Sequence, residues 1–428
     1  MNRSIFKLAL PALGALAIDP LLTLVDTAFV TRLGVTELAA LGVDTAILGF
    51  AFFGFNFLAI VTTPLVAKAL GAGDSEAARR WVGDALLLAV VLGVLVTVVL
   101  VFAAGALVGL MGASAAVAGP ATSYLLIRAF ATPAVLVVTA GHGAFRGYHD
   151  LRTPLLIAAV VNGVNLVLDP LLIFGMGLGL EGAALATAGA QWLGAGLFLR
   201  QLTRKSMASR PRDIASSIPT LLTMGRNGTL VTLRTAFLLV AFTVAASTAT
   251  RLGAESIAAH QIVVQFWLLA SMIADAYAIA GQVLVGESVG RSDPQRIHKV
   301  VARLVSWGLV TGAVLLGVFL AVRPWIESFA GNGDVGSLAA EAALVAGVMQ
   351  PVAAPLFVAD GVFLGLIALG ALVTSTGLGS LTAVTLIVWT PLGDSLAGIW
   401  WALTAMMVAR SIVFVLAYRR SVVTAVRS

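Results

Sequence analysis

The chain has no cysteine and little charge: Asp, Glu, Lys and Arg together make up 11% of its 428 residues, against about a quarter in ordinary soluble domains. Without cysteine, disulfides, thiolate catalysis and cysteine-held zinc are excluded. The four histidines, His142, His149, His260 and His298, are scattered without metal-ligand spacing, which argues against a zinc site. There is no HExxH pattern and no convincing serine-nucleophile site, so an enzyme is not expected. Long apolar runs fill the chain instead. It is 60% hydrophobic, with a mean hydropathy of +1.03. Ala85 to Met111, Leu155 to Gly175 and Leu304 to Val322 reach the roughly 20 residues a helix needs to cross a bilayer, and none alternates as a membrane barrel strand does. The fold class is therefore an all-α membrane protein.

About twelve apolar segments are predicted, centred near residues 19, 57, 98, 132, 164, 192, 234, 271, 313, 352, 378 and 408. The opening run "MNRSIFKLALPALGALAIDPLLTLVDTAFV" passes into a long span with no clear cleavage site, so the first helix is expected to be kept. Five of the 26 Lys and Arg residues, Arg32, Arg128, Arg234, Arg251 and Arg323, lie within spans or at one set of helix ends, and the other 21 lie at the opposite set. Positive loops stay inside, so both termini are expected in the cytoplasm of a multi-pass protein of the inner or plasma membrane. The net charge of +6 then reflects membrane topology, and no nucleic-acid partner is expected.

The polar stretch "RQLTRKSMASRPRDIASSIP", Arg200 to Pro219, divides the chain into residues 1–205, a cytoplasmic linker at 206–218, and residues 219–428. The two parts repeat each other. Adding 219 carries Thr31, Arg32, Leu33 and Gly34 onto Thr250, Arg251, Leu252 and Gly253, and Val66, Gly71 and Asp74 onto Val285, Gly290 and Asp293. An offset of 218 carries Pro133, Phe145 and Gly147 onto Pro351, Phe363 and Gly365. Six spans per copy give two pseudo-symmetric six-helix bundles in the same orientation, with substrate expected to pass between them. Gly34 and Gly253 suit helix C-terminal caps.

Ionisable groups at membrane depth are costly and are functional candidates by default. The first span carries Asp19 and Asp26 on one face, the fifth carries Asn162, Asn165 and Asp169 at intervals of three and four, and the sixth carries Thr187 and Gln191 one turn apart. If these faces converge they make an oxygen-rich pocket for H+ or Na+, in which burial and mutual repulsion favour holding a proton on the carboxyl pair. The alternative is that Asp26 and Asp169 only hydrogen-bond helices together. Against it, Ala245, Ala383 and Ile387 stand where Asp26, Asn165 and Asp169 would fall in the second copy. A fold requirement would keep the acids in both copies, whereas a coupling ion needs only one. Pro11 and Pro20 invite a bend in the first helix beside Asp26. Arg234 and Asp275, on adjacent spans, read as a structural ion pair, with substrate gating as the alternative.

Other patterns carry less. "GLGLEG", Gly177 to Gly182, follows no strand, so a nucleotide site is not expected. "GALVG" at 105–109 and "GVFLG" at 361–365 fit the close-packing pattern, but 44 glycines make chance matches common. Phe50, Phe52, Phe53, Phe55 and Phe57 suit a drug-accepting cavity, lipid contact or core packing alike.

Together, "LALPAL" at 8–13, "LVDTAFVTRLG" at 24–34, "ELAALG" at 37–42, "GHGAFRGYHDLRTP" at 141–154, "NGVNLVLDPLLIF" at 162–174 and "RLGAESIAAHQI" at 251–262 resemble the multidrug and toxic compound extrusion (MATE) transporters. "LRTAFLL" at 233–239 points to the DNA-damage-inducible protein F type. The resemblance covers essentially the whole chain. It implies two bundles forming a V, and export of small amphipathic, cationic organic compounds by antiport against H+ or Na+. No cofactor and a monomer are expected. By that resemblance Asp26, Asn165, Asp169 and Thr187 form the cation site, with Na+ the only metal they would hold, and the first helix bends at Pro11. Asp19, Asn162 and Gln191 are supporting polar groups. Organic-anion export or flipping of lipid-linked precursors is the alternative for the same architecture. One departure is that "GLIALGALVTSTGLG", Gly365 to Gly379, lacks the charged loop that "RGYHDLRTP" supplies in the first half.

Overall fold

The computed structural model describes residues 2–209, 214–329 and 333–427, with backbone alone at 19–24, 53, 214–216 and 329. The helices are α1 (Asn2–Thr31), α2 (Val35–Phe53), α3 (Phe57–Gly71), α4 (Ser75–Leu110), α5 (Ala115–Ala129), α6 (Thr132–Gly147), α7 (Arg152–Pro170), α8 (Gly179–Arg204), α9 (Ile214–Arg251), α10 (Ala254–Gly290), α11 (Pro294–Phe329), α12 (Asp334–Gly365), α13 (Leu369–Trp389) and α14 (Leu396–Arg427). No strand occurs among the described residues. Three predicted spans are interrupted rather than straight. α2 and α3 are separated by the tight turn Gly54–Asn56, α5 and α6 meet at 50°, and α7 runs into a π turn at Leu171–Gly175. Counting each broken pair once, eleven described segments are long and apolar enough to cross a membrane. The 30-residue α1 makes the twelfth, in agreement with the sequence.

Two compact units form, one of Gly14–Gly228 and the other of Met1–Leu13 with Thr229–Ser428. Their borders fall inside α1 and α9. Of the expected linker, 206–218, residues 214–218 belong to α9, and residues 210–213 lie outside those described. The polar ends of the linker are tied to α4, where the Ser209 N–H donates to the Arg79 carbonyl (3.1 Å) and the Ser217 hydroxyl to the Asp84 carboxylate (2.7 Å). In the other unit Phe6 lies edge-on to Trp307, with ring centres 4.7 Å apart, and the Asn2 side-chain oxygen accepts from Arg303 and Trp307.

The repeat is physical as well as textual. Left-handed backbone recurs at matched turns: Gly34 and Gly253 (φ 145° and 124°), Gly73 and Ser292 (80° and 50°), and His149 and Ile367 (61° and 55°). Gly34 and Gly253 precede α2 and α10 as their N-terminal caps, which corrects the expected C-terminal capping role. The uncharged "GLIALG" is a three-residue turn, Leu366 to Ala368, in which β-branched Ile367 adopts the conformation of His149 at the cost of some strain.

Each unit is organised around a glycine-lined helix. In the first, α6 packs on α3 and α4. In the second, α12 packs on α10 and α11. A Cβ at Gly143 would lie 2.8 Å from the Ala59 carbonyl, and one at its repeat partner Gly361 2.1 Å from the Ala278 carbonyl. Helix backbones in lipid gain by such close approach because the apolar solvent gives them no other driving force. "GVFLG" is therefore a true packing motif, whereas nothing lies within 4 Å of a Cβ placed at Gly105 or Gly109 of "GALVG".

Candidate functional site

Residues at i, i+3 and i+7 share a helix face, and α7 buries Asn165 and Asp169 on one such face, with 4% and 1% exposure. The Asn165 amide donates to an Asp169 carboxyl oxygen at 3.4 Å. Pro170 follows directly and removes a backbone donor, and the helix then loosens into the π turn, a feature that gathers at functional sites. From α1, Asp26 is a hydrogen-bonding neighbour of Asp169. Two carboxyl groups share a hydrogen bond only when one carries a proton. Their remaining oxygens, Asp26 Oδ1 and Asp169 Oδ2, are buried without a partner, as is the Asn162 amide nitrogen.

On α8 the Thr187 hydroxyl donates to the Ala183 carbonyl (2.9 Å), which leaves its lone pairs free to accept. One turn on, Gln191 accepts from the Arg128 guanidinium of α5 at 2.8 Å. Arg128 lies in electrostatic range of Asp26, and Tyr124, one turn before it, lies in range of Arg128, Asp26, Asp169 and Asp44 of α2. The faces that the sequence predicted to converge thus bring Asp26, Asn165 and Asp169 together, with Gln191 joined to them through Arg128. No bond ties Thr187 to the carboxyls. Pro11 lies in α1 within the part grouped with Thr229–Ser428, and the side chains of Asp19 and Pro20 lie outside the described residues.

Sequence reasoning misses Asp44. The signal that finds it is the one that finds Asp26, a lone acid inside an apolar run, here "ELAALGVDTAILGF". Arg234 pairs with Asp360 of α12, and Arg410 of α14 also binds Asp360 through both carboxyl oxygens at 2.8 and 2.7 Å. Asp275 is half-buried on α10.

Ionisable clusters held inside bundles of membrane-length helices define a multi-pass transport protein rather than an enzyme. The MatE family matches residues 11–171 and 231–391, the two copies of the repeat, and the chain belongs to that family of MATE transporters. It is 35% identical over 424 residues to "Protein DETOXIFICATION 44, chloroplastic" of Arabidopsis thaliana, covering 96% of this chain and 81% of that one. To the "DNA damage-inducible protein F" of Escherichia coli (strain K12) it is 26% identical, over 98% of this chain and 92% of that protein. The fold matches the Vibrio cholerae MATE transporter VcmN in its bent form, with a TM-score of 0.91 at 21% identity over 99% of this chain and 97% of that one.

Proposed function

We propose that the protein exports small amphipathic organic cations by antiport, with the coupling ion bound by Asp26, Asn165, Asp169 and Thr187. The observation that carries this reading is the pair of half-buried Asp26 and buried Asp169, in hydrogen-bonding contact and each with one buried oxygen left unpartnered. A buried acid pair is expensive unless a proton or cation neutralises it, so its charge state can be traded for conformation. The proton is the favoured ion because the contact between the carboxyls requires one. The all-oxygen set also suits Na+. Asp19, Asn162 and Gln191 support the pocket, and α1 would pass occupancy of the site to the rest of the protein through a bend at Pro11 and Pro20. The moving parts are the repeat halves, residues 1–205 and 219–428 about the linker 206–218, in a monomer of the inner or plasma membrane. The strong Lys and Arg asymmetry supports cytoplasmic termini.

A second reading, export of organic anions or flipping of a lipid-linked precursor, draws on the surplus of arginine over acid around Asp360. Purified protein in liposomes separates the readings. With an imposed pH or Na+ gradient, efflux of a fluorescent organic cation should follow one gradient in the wild type and be abolished in folded Asp26→Asn and Asp169→Asn. Normal gradient-driven efflux in both variants rejects the coupling site. Anion efflux without cation efflux selects the second reading.

A further inference from the structure

Asp44 stands apart from the pair just described. Ala40, Ile47 and Leu48, which share its helix face, belong to one apolar core cluster with Val30 of α1, Leu100 and Ala104 of α4, and Tyr124 and Leu125 of α5. The residue is 0% exposed, and neither carboxyl oxygen has a hydrogen-bond partner. A bare carboxylate in such a place would cost several kcal/mol. The cation nearest in effect is Arg128, which lies in its electrostatic range but spends a guanidinium nitrogen on Gln191, while its Nε has no partner.

We propose that Asp44 is a second proton-binding site of this unit, separate from the Asp26 and Asp169 pair and joined to it through Arg128. The ligand is a proton and not a metal cation. Sodium needs several converging oxygens, whereas the residues sharing Asp44's helix face are apolar, and no group of three or more His, Cys, Asp or Glu side chains able to hold a metal occurs among the described residues. The charged group in range of Asp44 is Arg128 from α5, and Tyr124, also from α5, lies in range of Asp44 and in turn of Asp26 from α1 and Asp169 from α7. α4, which also packs on α2, carries its ionisable residues only between Glu76 and Asp84, in its first turns. When the Asp44 O–H bond breaks, the proton leaves to water and the electron pair stays on the carboxylate, with Arg128 as its counter-charge. Arg128 also faces Asp26, so loss of a proton at one site alters the field at the other. Proton binding at Asp44 rests on its own geometry. Only its use as a second coupling ion depends on the exporter reading.

The test is infrared difference spectroscopy of the purified protein between acidic and alkaline pH, following the C=O stretch of protonated carboxyl groups. Asp44→Asn should lose a titrating component that Asp26→Asn retains, and Arg128→Gln should move the midpoints of both components. A spectrum of Asp44→Asn identical to wild type overturns the proposal, as does an Asp44 component that never titrates. Should Asp44→Asn fail to fold, Asp44→Leu, of similar volume and apolar, takes its place with the same expected loss. If Asp44→Asn loses its component while Asp26→Asn transports normally, the exporter's coupling site is rejected and the Asp44 site stands.

Discussion

The two units carry opposite charge clusters on one repeated scaffold. In the amino-terminal unit three acids, Asp26, Asp44 and Asp169, and one arginine, Arg128, lie in range of Tyr124, and each acid keeps at least one buried oxygen without a partner. In the carboxy-terminal unit a single acid, Asp360, is gripped by two arginines, Arg234 and Arg410. The repeat offsets show what the scaffold itself requires. Ala245, Val263, Ala383 and Ile387 stand where Asp26, Asp44, Asn165 and Asp169 would fall, and all four are buried core residues. Apolar side chains therefore fill these positions without loss of the helix packing. The acids of the first unit are additions to the fold and suit an exchangeable cation. In the second unit both Asp360 oxygens are bonded by arginine, which suits a fixed strut.

The sharpest way to break this contrast is to remove one acid from each unit. Asp360→Ala leaves buried Arg410 and half-buried Arg234 facing each other without a counter-charge and should cost about 3–5 kcal/mol, or prevent recovery of folded protein. Asp26→Asn removes a carboxyl with an unpartnered oxygen and should change stability by less than about 1 kcal/mol. Thermal or denaturant unfolding in detergent measures both. Equal losses would show that the amino-terminal acids are struts as well.

A second comparison concerns glycines. Gly361→Ala drives a methyl group into the Ala278 carbonyl and should cost about 1–3 kcal/mol through forced separation of α10 and α12. Gly105→Ala meets nothing and should be neutral or slightly stabilising, because alanine is the better helix former. The same unfolding assay decides. A neutral Gly361→Ala would mean that the close approach of α10 and α12 contributes little.

These contrasts mark what the sequence could carry. Twelve spans, the repeat and the Asn165 and Asp169 face are legible because each depends on local periodicity or on a fixed offset along the chain. Adjacent spans suggest Asp275 for Arg234, whereas its bond to Asp360 on α12 is one that only tertiary packing reveals. "GALVG" and "GVFLG" are equivalent as strings, and what separates them is whether another backbone faces the helix. Asp44 needed no tertiary information to notice. Recognising it as unpartnered did, since that depends on α1, α4 and α5 surrounding it with apolar groups.

The smallest expected effect lies at the loop that differs most between the copies. Asp150 accepts from the Thr153 N–H (3.1 Å) and hydroxyl (2.7 Å), capping α7, and from Lys205 Nζ (2.5 Å) just beyond α8. At the matched turn Ile367 and Ala368 replace His149 and Asp150, and α13 has no side-chain cap. Burial alone would raise the Asp150 carboxyl, but the bonds from Lys205 and Thr153 outweigh it and hold it below its ordinary value of 3.8. A depressed folded value gives stability that is present above the unfolded value and is lost as pH falls through the folded one. Lys205 is 39% exposed, and solvent screening keeps the pair to less than about 1 kcal/mol. Asp150→Asn should therefore lower stability slightly at pH 7, less so at high salt, and the difference from wild type should shrink as pH drops below about 4. Unfolding followed across pH and salt tests this, and a deficit that persists in acid would assign the loop's hold to packing rather than to charge.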